Sequence, residues 1–129
     1  MKREKQKNFN SVIADCLRKK FGTRAILYIK HFAEMTGSIN AAILMSQLLY
    51  WYGKGSDKGW VYKTIEDMKD ETGLSKGQQA KAIEIWKKAD VLEISYTKTI
   101  PPKRNFKVNV DILLKFLDID DICAVEVDK

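Results

Sequence analysis

"ETGLSKGQ", residues 71 to 78, has the residue types of a sharp corner between two helices. Gly73 is free to adopt the left-handed conformation that ends a helix, Leu74 is the apolar side chain available to plug the corner, and Ser75 is placed to cap the second helix. Ser75 and Gln78 spell the S-x-x-Q capping box, in which each side chain satisfies the other residue's free backbone N–H. One helix stops and another starts within three residues. The arriving helix opens at Thr64, with Glu66 and Asp67 in its first turn, where the helix dipole favours negative charge. The departing helix carries Gln79, Ala82, Ile83, Trp86 and Ala89 on one face; Lys76, Ala80, Lys81, Glu84, Lys87 and Lys88 lie elsewhere.

Downstream the period changes to two. Leu92, Ile94 and Tyr96 alternate with Glu93, Ser95 and Thr97, and Phe106, Val108 and Val110 alternate with Asn105, Lys107 and Asn109. Antiparallel pairing of Tyr96 with Phe106, Ile94 with Val108 and Leu92 with Val110, centred on Pro101, buries all six on one face. A slip of one residue exposes a strand's apolar set. Between the runs, "KTIPPKR" (98–104) holds both prolines with Lys98, Lys103 and Arg104, so the hairpin is expected to end in a stiff basic tip.

Upstream, "NFNSVIADCLRKKFG" (8–22) spaces Phe9, Ile13, Cys16, Leu17 and Phe21 as an amphipathic helix. "TRAILYIKHFAEMTG" (23–37) predicts a second helix, although "AILYI" also suits extended chain. Ser38 is an N-cap for "INAAILMSQLLYWY" (39–52), apolar almost all round and therefore central. "GKGSDKG" (53–59) is a loop, "WVYK" a short strand with Trp60 and Tyr62 on one face, and "DILLKFLD" (111–118) a closing helix.

The core of this order is helix, strand, helix, turn, helix, strand, wing, strand: a winged helix-turn-helix. The expected fold is α+β and mainly helical, with a small three-stranded antiparallel sheet and an added N-terminal helix. Residues 1–23 form a basic arm and amphipathic helix, 24–118 the winged domain, and 119–129 an acidic tail.

Composition agrees with one globular domain: 129 residues, 45% hydrophobic and 31% charged. The net charge of +6 is uneven, because residues 118–129 carry five acids against Lys129, leaving 22 basic against 12 acidic groups before them. A body that basic suits either a polyanionic partner, nucleic acid first, or simple solubility. The basic opening has no signal-peptide character, and the longest apolar stretch, interrupted by Ser46 and Gln47, falls short of the roughly 20 residues of a membrane span. Cys16 and Cys123, far apart and with His31 the sole histidine, give no zinc pattern; a cytoplasmic protein with free thiols, no cofactor and no membrane partner is expected.

The segments "GSINAAILMSQLLYW", "GWVYKT" and "ETGLSKGQ", followed by "DVLE" and the proline-bearing "PPKRNFKVN", resemble the winged-helix domains of phage replisome-organiser and plasmid replication-initiation proteins. The resemblance covers roughly residues 24 to 117 and departs at Trp86, where such domains more often have leucine. It implies sequence-specific double-stranded DNA binding in phage or plasmid replication initiation or in transcriptional regulation, with replication proteins and a second copy of the chain as further candidate partners. It implies a DNA-binding module rather than a complete initiator, whose larger members carry a further domain for a helicase or its loader.

In a helix-turn-helix the second helix enters the major groove by its N-terminal end. The residues there are Ser75, Lys76, Gly77 and Gln78, then Ala80 and Lys81. Gln78 either pairs an adenine edge or is spent on the capping box. Lys76 and Lys81 reach guanine or phosphate, unless the face is merely solvated. Gln79, sharing a face with Ala82 and Trp86, is a buried brace of the turn. Lys63 and Thr64 stand where the preceding helix touches a phosphate, while the acids Glu66, Asp67, Asp70 and Glu71 turn most of that helix away. At the wing, Lys98, Lys103 and Arg104 are backbone contacts, held by prolines that also block edge pairing. Lys2, Arg3, Lys5 and Lys7 suit a solvated tail or a flexible arm.

No enzyme is indicated. "GKGSDKG" lacks the glycine and the Ser or Thr of a phosphate loop, His31 has no acid or nucleophile partner in sequence, and "DIDD" lacks calcium-loop spacing. The competing class is a winged helix used for protein contact, through Tyr50, Trp51 and Tyr52 or through the first helix.

Overall fold

The computed structural model describes residues 2–22, 26–52, 60–100 and 102–117. They form α1 (Lys2–Phe21), α2 (Lys30–Thr36), α3 (Ile39–Tyr52), β1 (Trp60–Tyr62), α4 (Ile65–Thr72), α5 (Lys76–Lys88), β2 (Leu92–Tyr96), β3 (Arg104–Val108) and α6 (Val110–Phe116). The architecture is α+β and mainly helical, with one antiparallel sheet in the order β1-β3-β2. Loop 53–59, Pro101 and the acidic tail lie outside the described residues.

The centre is α3. Its residues Ala41, Ala42, Leu44, Met45 and Leu48 are buried, as are Ser46 and Gln47, so the helix is dry nearly all round, as its sequence requires. Ser38 Oγ accepts the Ala41 N–H at 3.0 Å and starts it. Trp86 of α5 reaches across to donate its indole N–H to the Ala41 carbonyl at 2.8 Å and meets Phe32 of α2 edge to face at 5.6 Å. One side chain thereby joins three helices.

The corner forms as its residue types dictate. Gly73 takes φ 83°, a left-handed value, and donates to the Lys69 carbonyl at 2.7 Å. Leu74 is buried, and reciprocal capping boxes open both helices, Thr64 with Asp67 and Ser75 with Gln78.

Three expectations change. The second helix starts at Lys30, not near Thr23, because Ile29 is extended and its N–H is held by Ser46 Oγ of α3 at 3.0 Å. The β2–β3 register pairs Leu92 with Val108, Ile94 with Phe106 and Tyr96 with Arg104, two residues from the expected one. Because side chains alternate with period two, that shift keeps Leu92, Ile94, Phe106 and Val108 on one face, but Tyr96, expected to be buried there, is 60% exposed; Val110 is freed to start α6 and Arg104 is brought inside. The basic N-terminal segment is helical from Lys2 onward rather than an arm. On α1, Ile13, Cys16 and Leu17 of the apolar stripe are exposed.

Candidate nucleic-acid interface

α5 turns two faces to different environments. Gln79, Ala82, Ile83 and Trp86 are buried, while Lys76, Gly77, Gln78, Ala80, Lys81, Glu84, Lys87 and Lys88 are exposed. At its start, Ser75 Oγ accepts the Gln78 N–H at 3.2 Å and the Gln78 amide oxygen accepts the Ser75 N–H at 2.9 Å. Of the two uses open to Gln78, the cap is the one occupied. Gln79 is the brace its position suggests: its amide donates to the carbonyls of Leu74 at 3.0 Å and Ile65 at 3.1 Å, tying α5 to the corner and to the start of α4.

Two basic residues nominated as phosphate contacts are committed inside. Arg104 does not sit at the hairpin tip; at 7% exposure it donates Nε to the Lys63 carbonyl at 3.1 Å and Nη2 to the Gln79 amide oxygen at 2.9 Å, with its guanidinium 5.0 Å from the Phe106 ring. Burial pulls its pKa below the ordinary arginine value, opposed by the nearby Tyr96, Asp67 and Glu66. Lys63 lies 3.8 Å over the Trp51 ring and pairs with the Glu71 carboxylate, which also accepts from Gln47 at 2.7 Å and from the Trp51 indole at 2.9 Å. Glu71 thus points into the structure, where the sequence suggested only an acid turned from phosphate. Thr64 Oγ1 is likewise taken, accepting the Asp67 N–H at 2.9 Å.

Between α5, the start of α4 and the β2–β3 hairpin runs a groove of about 560 Å³. Lys76, Ala80, Glu84 and Lys87 form its helix wall, Ile94, Tyr96 and Pro102 its hairpin wall, and Thr64, Glu66 and Arg104 also line it. Gly77 and Lys81 are exposed on α5 outside this lining, and Lys98 and Lys103 are exposed at the end of the hairpin. The hairpin end is closed by Thr97 and Lys103: each backbone N–H meets the other residue, Thr97 through the Lys103 carbonyl and Lys103 through Thr97 Oγ1, both at 2.9 Å. Sequence reading missed Tyr96 and Ile94 as groove residues. Their alternation marks the inner face of the hairpin but not how far that face overhangs α5.

His31 is on the surface, with Nδ1 3.3 Å from Glu34. Among the described residues no cluster of His, Cys, Asp and Glu suits a metal, Cys16 is an exposed free thiol, and no helix is long and apolar enough to cross a membrane. No family model, curated protein or solved structure matches the chain.

Proposed function

We propose that the protein binds double-stranded DNA as a winged helix-turn-helix, α5 entering the major groove and the β2–β3 hairpin serving as the wing. The observation that carries this reading is the division of labour at the start of α5. Ser75, Gln78 and Gln79 hold the turn together, while Lys76, Gly77, Ala80 and Lys81 face solvent with the basic hairpin end beyond the groove. Small residues at 77 and 80 let backbone approach a groove wall, and lysines at 76 and 81 supply charge to guanine or phosphate. Lys98 and Lys103 act on the sugar-phosphate backbone. Service in phage or plasmid replication initiation, or in transcriptional regulation, rests on the resemblance to replisome-organiser and replication-initiation domains. Selection of bound sequences from a random duplex pool tests it: an enriched motif whose binding weakens steeply with salt supports the reading, and no salt-sensitive duplex binding refutes it.

A second reading, protein contact, is favoured by a different groove of about 610 Å³ that includes Ile26, Leu27, Tyr50 and Trp51 beside Asp70 and Glu71. Its apolar and acidic lining suits a partner protein, possession of which does not exclude DNA on α5. If duplex binding is absent and a second copy or a replication protein is retained, this reading replaces the first.

A further inference from the structure

The sheet has a second side, of which the duplex reading uses Lys103 alone and the protein-contact reading nothing. Along β1, Val61 is buried against the core, so Trp60 and Tyr62 project to the opposite, outer face. On the neighbouring strand β3, Phe106 is buried and Asn105 and Lys107 point outward; the register sets Trp60 against Lys107 and Tyr62 against Asn105. Lys107 Nζ lies 5.8 Å from the Trp60 ring centroid, and Lys103 Nζ lies 5.5 Å from that of Tyr62. Tyr62 is 43% exposed. The face therefore repeats one unit twice, an aromatic ring with an ammonium beside it, and places a half-buried amide, Asn105, between the two lysines in sequence.

We propose that this outer face binds single-stranded nucleic acid, the Trp60 and Tyr62 rings stacking two unpaired bases and Lys103 and Lys107 holding the adjoining phosphates. Spacing favours a single strand over a duplex. Residues two apart on a strand are separated by about 6.6 Å, roughly twice the 3.4 Å repeat of stacked bases in a duplex. Bases lying on both rings are therefore splayed, a state open to unpaired strands and closed to paired ones. Stacking is tolerant of base identity because every base has a π face, so little sequence preference is expected here, in contrast to α5. Glu93, opposite Lys107 on β2, is the one acid the register sets against this pair of lysines and limits the charge on that side. The inner face of β3 belongs to Arg104, which bonds to Gln79 of α5, so of the residues assigned to duplex binding the outer face shares Lys103 alone.

The test is titration of the full chain with a thymidine dodecamer and a uridine dodecamer at low salt, read by tryptophan quenching and by anisotropy of labelled oligomers. Expected are saturable binding of at least one oligomer, quenching of Trp60, about tenfold weaker binding in Tyr62→Ala and near-complete recovery in Tyr62→Phe, which keeps the ring. Lys107→Gln is expected to weaken binding a few-fold and to flatten its salt dependence. Lys76→Ala is expected to leave it unchanged. The ratio of the two oligomers' affinities distinguishes DNA from RNA as the natural strand. The proposal is overturned if neither oligomer binds saturably. It is equally overturned if Tyr62→Ala, folded by circular dichroism, binds as tightly as the parent, since charge alone then accounts for the binding. Loss of single-strand binding in Lys76→Ala assigns it to α5 and also overturns the proposal.

Discussion

Lys103 and Arg104 are adjacent basic residues of one hairpin, yet Lys103 is exposed over the Tyr62 ring while Arg104 is buried on Gln79 and the Lys63 carbonyl. The same division separates Lys63, held between Glu71 and Trp51, from Lys76 and Lys81, which face solvent on α5. Formal charge in the sequence does not distinguish these fates; strand parity and a waiting partner do. Arg104 falls on the side of β3 that also holds Phe106 and Val108, and a glutamine amide oxygen and a backbone carbonyl meet it there. A planar guanidinium donates to both at once, which an ammonium on a flexible stem does less well. The buried seam is thus a structural use of charge, and the exposed lysines are left facing solvent.

The largest effect expected on this contrast is at Glu71. Glu71→Ala leaves the Lys63 ammonium, the Gln47 amide and the Trp51 indole without their shared acceptor, and about 3 kcal/mol of stability is expected to go, since the pair is mostly shielded from water. Glu71→Gln, which keeps an acceptor, is expected to lose less. Urea unfolding of both variants checks this; equal stability of Glu71→Ala and parent would mean that the seam is no more than a surface ion pair.

Arg104→Ala is next, at about 2 kcal/mol, because the Gln79 oxygen loses its partner inside the structure. Lys103→Ala, one residue away, is expected to stay within about 0.5 kcal/mol of parent. Should the two variants unfold together, the distinction between them fails. A smaller loss, about 1 kcal/mol, is expected for Ser75→Ala, which frees the Gln78 N–H that the hydroxyl accepts.

Local chemistry was legible in the sequence and long-range chemistry was not. Gly73, the Ser75–Gln78 box, the start of α4 at Thr64 and the buried face of α5 all depend on residues within one or two turns, and each forms as its residue types predict. Gln79 was readable as a brace because it shares a face with Ala82 and Trp86. Register was not, since period-two alternation constrains parity alone and a shift of two residues satisfies it equally. Arg104 finds Lys63 across 41 residues and Gln79 across 25, separations at which no local pattern announces a contact. The exposed Ile13 and Leu17 of α1 make a similar point: amphipathic spacing says which face a helix is able to bury, not that a neighbour covers it.

The smallest effect on stability carries the most functional information. Lys76→Ala removes an exposed side chain from the first turn of α5, away from both capping bonds, so unfolding is expected to shift by less than about 0.5 kcal/mol. On duplex DNA its consequence is expected to be selective: affinity for a preferred sequence falls by about tenfold, within the range of one lost base contact, while affinity for random duplex changes little. Lys103→Ala is expected to lower both affinities alike and to reduce the salt slope by about one, the signature of one phosphate contact. Competition binding with a preferred and a scrambled duplex separates the cases. If the two lysines lose affinity in the same proportion on both duplexes, α5 supplies charge without reading bases, and the exposed side of the contrast reduces to electrostatics.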